Sequence, residues 1–264
     1  MSEGYVLFLG TSAGAPLPSE GMPAILMSFR GWKILLDAGE GAQLELLRAG
    51  VGPARLDSIH VTHAHGDHVF GLPGLLQSMS MSSRSRPLIL QGPEAVRSLL
   101  EASFVNTGFE PSYSVRFASC NEPVIFEDSG ALLEVSCFRT CHVSESYGYA
   151  VSGYRKKREG LSRVFKVSYT GDTSPCPDYF RHVEGSDVLI HDATFSWLDR
   201  EIAHRYGHST ARDAALVAEE TNSKMLVLFH RSTRYRGREW LLLSEALAIH
   251  REVFLAKRGL KIIL

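Results

Sequence analysis

The sequence predicts an α/β fold of the α+β type, in which two β-sheets pack face to face with helices on the outside. Two observations favour it: short apolar strand patterns alternate with helical patterns along the whole chain, and the strands outnumber the helices. No low-complexity linker or Pro-rich hinge divides the chain. We therefore expect a single domain over residues 1–264.

Strands are predicted where short apolar runs are bounded by turn residues. In chain order they are Gly4–Gly10, Ala24–Phe29, Trp32–Leu36, Ser58–Thr62, Leu88–Gln91, Leu132–Arg139, Tyr147–Tyr154, Arg163–Tyr169, Asp187–His191, Met225–Phe229 and Leu260–Leu264. Helices are predicted where apolar residues recur with a helical period. These are Ala42–Ala49, Val69–Ser80, Pro93–Ser103, Thr210–Glu220 and Leu243–Ala256.

The composition, 44% hydrophobic and 22% charged residues, is ordinary for a soluble protein, and no apolar run is long enough to span a bilayer. The N-terminal residues resemble neither a signal peptide nor a transit peptide, so we expect a cytoplasmic protein without a membrane partner. None of the four cysteines forms a CxxC pair, and we expect reduced, packed thiols. The net charge of −1 means that a nucleic-acid partner would need a local basic patch.

The segment THAHGDH at Thr62–His68 places three imidazoles and a carboxylate directly after an apolar strand. Crowded histidines repel one another when protonated and lack partners when buried, whereas a bound metal removes both problems. In an extended segment His63 and His65 project to the same side, while Asp67 and His68 diverge. Because one tetrahedral ion cannot easily use all four side chains, the segment indicates half of a binuclear metal site.

Polar side chains close several other predicted strands. His142, Asp172, Asp192 and His230 all lie at or just beyond the end of an apolar run. Side chains at the ends of adjacent strands converge on one rim of a sheet, where binding sites are commonly built. The recurrence is therefore a second, independent argument for a site.

Motifs along nearly the whole chain match one family. They are LGTSAGAP at Leu9–Pro16, LLDAGEGAQLEL at Leu35–Leu46, THAHGDHVFGLPGLL at Thr62–Leu76, YTGDTSPCP at Tyr169–Pro177, LIHDATF at Leu189–Phe195, GHST at Gly207–Thr210 and LFHRSTRY at Leu228–Tyr235. HxHxDH alone is typical of the metallo-β-lactamase superfamily, and the ordered set resembles its ribonuclease Z (tRNA 3′-processing endonuclease) group. The resemblance implies a four-layer αββα metallo-β-lactamase sandwich and a homodimer.

The resemblance also implies two zinc ions per chain, with Mn²⁺ as a possible substitute. The first ion would be bound by His63, His65 and His142, the second by Asp67, His68 and His230, and Asp172 would bridge them. Neutral imidazoles and carboxylates are ligands that zinc accepts, and a water that bridges two such ions is deprotonated near neutral pH. That bridging hydroxide is the expected nucleophile.

Three of these ligands have other interpretations when considered alone. A Gly-Asp-Thr turn such as that of Asp172 often uses its carboxylate to cap backbone amides. His142 could be a surface residue, and His230 could be a buried core histidine with its hydrogen bonds satisfied. The match to the ordered motifs favours ligation for all three.

The catalytic residues that we assign besides the ligand Asp67 are His208 and Asp192. Ser209 or Thr210 can cap the helix that follows His208, and a place just before a positive helix end lowers the pKa of an imidazole toward neutral. By resemblance His208 protonates or orients the leaving oxygen. Asp192 stands where the family motif HEAT has Glu, so its hydrogen bond to His208 is an open question, and it could instead bind backbone donors.

The chain departs from the family in its substrate-binding parts. Many ribonucleases Z carry a long projecting arm between the third and fourth metal motifs, and here only two strands and the predicted hairpin loop Arg155–Gly160 separate His142 from Asp172. The cations of this loop can neutralise phosphates, or they can be a solvated turn. A second basic group follows His230. Predicted substrate contacts are Arg155, Lys156, Lys157, Arg158, Arg231 and Arg234.

The leading functional hypothesis is a zinc-dependent endoribonuclease that cuts tRNA precursors and leaves a 3′-hydroxyl. The alternatives are a phosphodiesterase for small or cyclic nucleotides, a hydrolase of another ester, and an accessory metal-binding protein without turnover. The complete ligand set and the spare acid His208 disfavour the last, because structural zinc sites are closed and need neither.

Overall fold

The computed structural model describes residues 3–264 and divides into two compact units. One comprises the chain up to Cys120 together with Lys257–Leu264, and the other comprises Asn121–Ala256. The mixed α/β class with two sheets and helices is confirmed, while the single domain stays a prediction. Within residues 3–264, no helix is long and apolar enough to cross a membrane.

The first unit contains a seven-stranded sheet and four helices. The strands of this sheet are β1 (Gly4–Gly10), β3 (Ala24–Phe29), β4 (Trp32–Leu36), β5 (Ser58–His60), β6 (Leu88–Gln91), β7 (Val115–Ala118) and β16 (Lys261–Ile263), and the short strand β2 (Ser12–Ala13) lies outside it. Its helices are α1 (Ala42–Arg48), α2 (Gly66–Val69), α3 (Leu72–Met81) and α4 (Glu94–Thr107). The strand order is β16-β1-β3-β4-β5-β6-β7.

The second unit contains the other seven-stranded sheet. The strands of this sheet are β8 (Val124–Glu127), β9 (Ala131–Arg139), β10 (Tyr147–Lys157), β11 (Gly160–Tyr169), β12 (Val188–Asp192), β13 (Leu226–Phe229) and β15 (Val253–Leu255), and the short strand β14 (Arg231–Ser232) lies outside it. Its helices are α5 (Phe180–Val183), α6 (Arg200–Arg205), α7 (Ala211–Glu220) and α8 (Glu239–Leu247). The strand order is β15-β13-β12-β11-β10-β9-β8.

Both sheets change from antiparallel to parallel pairing halfway across. In the first, β16, β1, β3 and β4 pair antiparallel, and β4, β5, β6 and β7 pair parallel. In the second, β8 to β11 pair antiparallel, and β11, β12, β13 and β15 pair parallel. The carboxyl ends of parallel strands meet at one edge of a sheet, so in each unit the loops after these strands are neighbours.

Each unit buries the apolar sides of its helices against one face of its own sheet. In the first unit Leu46 of α1 and Leu75 of α3 belong to the same buried cluster as Leu35 and Ile59 of the strands. Burial of each such side chain stabilises the fold by about 1.5–3 kcal/mol. In the second unit α7 and α8 pack in the same way onto β12 and β13. The helices thus pack on one face of the parallel strands, and the loops that follow these strands lie at the sheet edge.

Most predicted strands are confirmed, but one helix is wrong. The helix predicted over Leu243–Ala256 lies over Glu239–Leu247, and Val253–Leu255 forms strand β15. Its apolar residues pair in parallel with β13, with Leu226 opposite Val253, so tertiary pairing overrides the helical pattern. The edge strands β7 and β8 were not predicted, because their short runs are only partly buried.

The helix predicted over Val69–Ser80 is broken into α2 and α3 at Phe70 and Gly71. The backbone of Gly71 lies against Gly39, and an added Cβ would lie 2.0 Å from the Gly39 carbonyl oxygen. Only glycine permits so close an approach between two backbone segments. The break therefore follows from contact with the loop after β4.

The expectation of reduced cysteines is wrong for this structure. Cys141 and Cys176 form a disulfide with a Cα–Cα distance of 6.4 Å, and Cys120 and Cys137 are also disulfide-bonded. Cys141 comes close to Cys176 because it forms an isolated bridge with Ser174. The disulfide therefore joins the loop that carries His142 to the loop that carries Asp172.

We expect thiol titration of the denatured, unreduced protein to find no free thiol, because all four cysteines are oxidised in the structure. The same titration after reduction is the internal control and should recover all four. Full reactivity without reduction would show that the cysteines are thiols, as their spacing alone predicts.

Candidate active site

The first unit places four predicted metal ligands together, in the loop and short helix after β5. The centroid of the His63 ring lies 4.5 Å from that of His65 and 4.3 Å from that of His68. Asp67 lies with one carboxylate oxygen 3.7 Å from His68 Nε2, and that oxygen accepts a hydrogen bond from the backbone of Gly14. The sequence therefore predicted a true cluster of donors here.

Asp37, a residue that sequence reasoning missed, holds this cluster in place through hydrogen bonds to Thr62 and His68. It is completely buried at the end of β4 with φ 59°, and it accepts hydrogen bonds from the backbone and the hydroxyl of Thr62. His68 Nδ1 donates to its other oxygen at 2.8 Å. The only sequence signal was its position directly after an apolar strand in LLDAGEG.

Asp37 and Thr62 determine which nitrogen each ring presents. Thr62 Oγ1 lies 3.0 Å from His63 Nδ1, just as the Asp37 carboxylate engages His68 Nδ1. Nε2 is then the nitrogen that each ring would present to a metal ion. Metal-binding histidines are usually oriented by such a carboxylate or hydroxyl on the second nitrogen, so the arrangement fits a metal site.

The second unit brings together Asp172, Asp192, His208 and His230. One nitrogen or oxygen atom of each lies within 4.8 Å of the others. His230 Nδ1 lies 3.3 Å from one oxygen of Asp172. Two imidazoles and two buried carboxylates so close together can hold a cation or share protons.

His142 lies beside this second cluster. Its ring centroid is 5.1 Å from that of His208, and its Nδ1 donates to the Gly207 carbonyl oxygen at 2.7 Å. Burial lowers the pKa of the His142 imidazole, and the charge of Asp172 only partly offsets this. A neutral imidazole that is held through Nδ1 is the form that binds a metal.

The shorter side chain of Asp192 reaches every partner that the family glutamate was expected to serve. Its Oδ2 accepts from His208 Nδ1 at 2.8 Å and from the Thr173 backbone at 3.0 Å. Its Oδ1 accepts from the backbone and the hydroxyl of Thr194. The two interpretations that the sequence left open are therefore both correct.

His208 strongly affects the ionisation of Asp192. Burial by itself raises the pKa of the Asp192 carboxyl, but the charge of His208 and its hydrogen bond outweigh burial, so that this pKa lies below its usual value. Asp192 is thus an anion that accepts a charge-assisted hydrogen bond from His208 Nδ1. The helix after His208 begins as predicted, because Thr210 caps α7 in a reciprocal arrangement with Asp213.

Thr194 is the second residue that the sequence did not reveal. Its hydroxyl lies 2.9 Å from His230 Nδ1 and 3.2 Å from His208 Nδ1. It donates to Asp192. The HDAT segment therefore orients both imidazoles of the second cluster.

One nearby histidine is structural. His60, the last residue of β5, is fully buried between Ser58 and Gln91. Burial lowers its pKa to about 4, so this imidazole is neutral and satisfied within the sheet.

The predicted substrate contacts are placed differently from expectation. The expected hairpin loop is wrong: β10 runs through Lys157 and β11 starts at Gly160, so that only a two-residue turn remains. Lys156 forms an ion pair with Glu127 of β8, while its neighbours are exposed along the strand and turn.

The basic residues after His230 also differ in exposure. Arg231 is only 5% exposed, and its guanidinium lies 3.6 Å from Glu239. Arg234 is exposed, and its guanidinium lies over the ring of Phe195. Of these two predicted contacts, Arg234 is the one that a substrate can reach.

Known proteins resemble this chain over nearly its full length. Residues 32–231 match the family model of the β-lactamase superfamily domain. A ribonuclease Z of Sulfolobus acidocaldarius is 36% identical over 95% of each chain, and one of Metallosphaera sedula is 37% identical over 90% of this chain and 91% of the relative. The crystal structure of human tRNase Z, short form, matches with a TM-score of 0.78 and 30% identity over 98% of each chain. The predicted metallo-β-lactamase fold is confirmed.

We expect Asp37→Asn to weaken metal affinity roughly 10- to 100-fold, because the neutral amide no longer holds His68 Nδ1 as a carboxylate does. Zinc affinity should be measured by competition with a chromophoric chelator. Asp57→Asn is the matched control, since Asp57 also accepts a backbone hydrogen bond in this unit but contacts none of the ligand candidates. Equal affinities for Asp37→Asn and the unmodified protein would contradict the role of Asp37.

Proposed function

Because the chain belongs to the ribonuclease Z family of the β-lactamase superfamily, we propose that it is a zinc-dependent endoribonuclease that removes 3′ extensions from tRNA precursors. Family membership confirms the predicted family and the predicted class of enzyme, a metal-dependent hydrolase. The observation that supports the mechanism most strongly is the His208–Asp192 hydrogen bond beside Asp172 and His230. The name of the solved human relative, tRNase Z, supports tRNA as the substrate, and the relatives named ribonuclease Z agree with it.

We propose that the chain holds two zinc ions, with Mn²⁺ as a substitute. The ligands would be His63, His65, Asp67, His68, His142, Asp172 and His230. Four of the histidines have Nδ1 engaged by a neighbouring side chain or carbonyl, which favours Nε2 as the ligand atom. When bound, two such ions supply a deprotonated water as the nucleophile and offset the charge that builds on the phosphate.

In the proposed reaction, water oxygen bonds to the phosphorus as the bond from phosphorus to the 3′-oxygen breaks. His208 donates its Nε2 proton to that departing 3′-oxygen, which becomes the 3′-hydroxyl of the tRNA. The phosphate remains on the 5′ end of the released trailer. Asp192 holds His208 Nδ1 and, as an anion, stabilises the imidazolium before the proton is transferred.

A phosphodiesterase for small or cyclic nucleotides remains the second candidate, because the segment between His142 and Asp172 is only a two-stranded hairpin. Tyr147 and Tyr169 lie near its base, and no long arm projects from it within residues 3–264. Relatives at 36% and 37% identity favour the tRNA substrate over this candidate. We also propose a homodimer, on the strength of the family resemblance.

We expect the purified protein to hold close to two zinc ions per chain and to cut a 3′-extended tRNA precursor to a product with a 3′-hydroxyl. Elemental analysis and end-mapping of the products measure the two outcomes. Asp172→Ala should lose most of both metals, because its buried carboxylate would be one of the ligands and lies among the other candidates of the second cluster. Hydrolysis of cyclic dinucleotides without any cleavage of the precursor would favour the second candidate.

We expect His208→Ala to keep its zinc while losing roughly 10²–10⁴ in cleavage rate, the usual range for acid–base assistance. The deficit should shrink with bis(4-nitrophenyl) phosphate, whose leaving group needs no proton. A parallel loss of zinc would make His208 a ligand, and an undiminished deficit with the activated ester would refute its role as an acid.

A further inference from the structure

Three arginines of the second unit lie over two aromatic rings that follow the HDAT segment. The guanidinium carbons of Arg200 and Arg212 lie 5.2 and 4.6 Å from the centre of the Trp197 ring. That of Arg234 lies 4.9 Å from the centre of the Phe195 ring. We call these five residues the arginine–aromatic surface.

This surface begins at the proposed catalytic acid. The ring of Phe195 lies 5.9 Å from that of His208. Phe195 and Thr210 form an isolated parallel bridge, and shortly after it the Arg212 guanidinium lies over the Trp197 ring. A strand of nucleic acid that extends from the acid over Phe195 therefore meets these arginines, beginning with Arg234.

Two of the three guanidinium groups of this surface are not neutralised by a carboxylate of the described chain and can therefore attract an anionic ligand. Within residues 3–264, neither Arg200 nor Arg212 forms an ion pair with a carboxylate, and both are exposed. Arg234 lies 3.6 Å from Asp199, so its charge is partly offset. A ring under a guanidinium limits its motion without neutralising it, and the planar group still offers N–H donors to phosphate oxygens.

Hydrogen bonds to Glu245 hold the segment that carries Trp197, the aromatic ring under Arg200 and Arg212. Glu245 accepts hydrogen bonds from the Ser196 hydroxyl and from the backbone N–H of Trp197. It also lines a cavity of about 400 Å³ together with Trp197 and Arg212. Its carboxylate is thus engaged in holding the Trp197 segment, which suits a preformed binding surface.

The chemistry of the proposed reaction indicates whether the tRNA or the trailer lies on the arginine–aromatic surface. His208 would protonate the 3′-oxygen, which stays with the tRNA, whereas the phosphate leaves with the trailer. We propose that the arginine–aromatic surface binds backbone phosphates on the tRNA side of the cleavage site. This inference rests on the proposed function, and it supplies phosphate contacts to a chain without the long arm.

The test uses the zinc-loaded double variant Arg200→Gln with Arg212→Gln and two separate ligands: a tRNA that ends at the cleavage site and a single-stranded trailer oligonucleotide. Each lost phosphate contact removes about 0.7–0.9 from the slope of log affinity against log salt. For the tRNA we expect weaker binding and a slope smaller by about 1.4–1.8 for the two lost contacts. Trailer binding and hydrolysis of bis(4-nitrophenyl) phosphate should not change.

The matched control is Arg97→Gln with Arg116→Gln, which removes the same charge from the first unit, where Arg97 also lies over an aromatic ring, that of Phe117. Two results would overturn the inference, provided that the unmodified enzyme cuts the precursor. One is an unchanged salt slope for tRNA binding in the Arg200 and Arg212 variant, and the other is an equal decrease of that slope in the control variant. Loss of trailer binding alone would overturn the assigned side. If the unmodified enzyme neither binds nor cuts the precursor, the proposed function itself fails and the inference fails with it.

Discussion

The parallel pairing of the last strands in each sheet is the constraint on which the candidate site depends. Asp37 follows β4 and the histidine loop follows β5, which are parallel neighbours. In the second sheet Asp172 follows β11, Asp192 ends β12 and His230 follows β13, again in parallel order. Because such strands end at a common edge, short loops suffice to gather side chains from distant parts of the sequence.

Two fully buried carboxylates make these loops rigid. Asp37 and Asp192 each accept several hydrogen bonds from backbone and side-chain donors, which offsets the cost of removing a charge from water. Each also holds one imidazole through Nδ1. The same bonds that satisfy the buried charge therefore orient the imidazole rings, so the fold and the candidate site are stabilised together.

The sequence predicted the parts of the site in which a polar residue interrupts a strong local pattern. His63, Asp172 and His230 were found because each follows an apolar strand. Asp37 and Thr194 were missed because their importance arises from partners that are distant in the chain or from a shared hydroxyl. Local patterns carry little information about such contacts.

The incorrect predictions have the same origin. Helical spacing over Leu243–Ala256 could not anticipate that Val253 would pair with a strand far earlier in the chain. Cysteine spacing indicated thiols, yet the bridge between Cys141 and Ser174 brings Cys141 next to Cys176. In both cases long-range backbone pairing decides the outcome, and composition cannot report it.

The hydroxyl of Thr194 contributes to the choice of tautomer at His230. A hydroxyl has one proton, and that proton goes to Asp192, so the oxygen can only accept from the neighbouring rings. His230 must therefore carry its proton on Nδ1, which leaves a lone pair on Nε2. Serine preserves this direction of hydrogen bonding, whereas valine, of almost the same shape, removes the acceptor and leaves the Asp172 carboxylate, 3.3 Å from Nδ1, to hold the proton on that nitrogen.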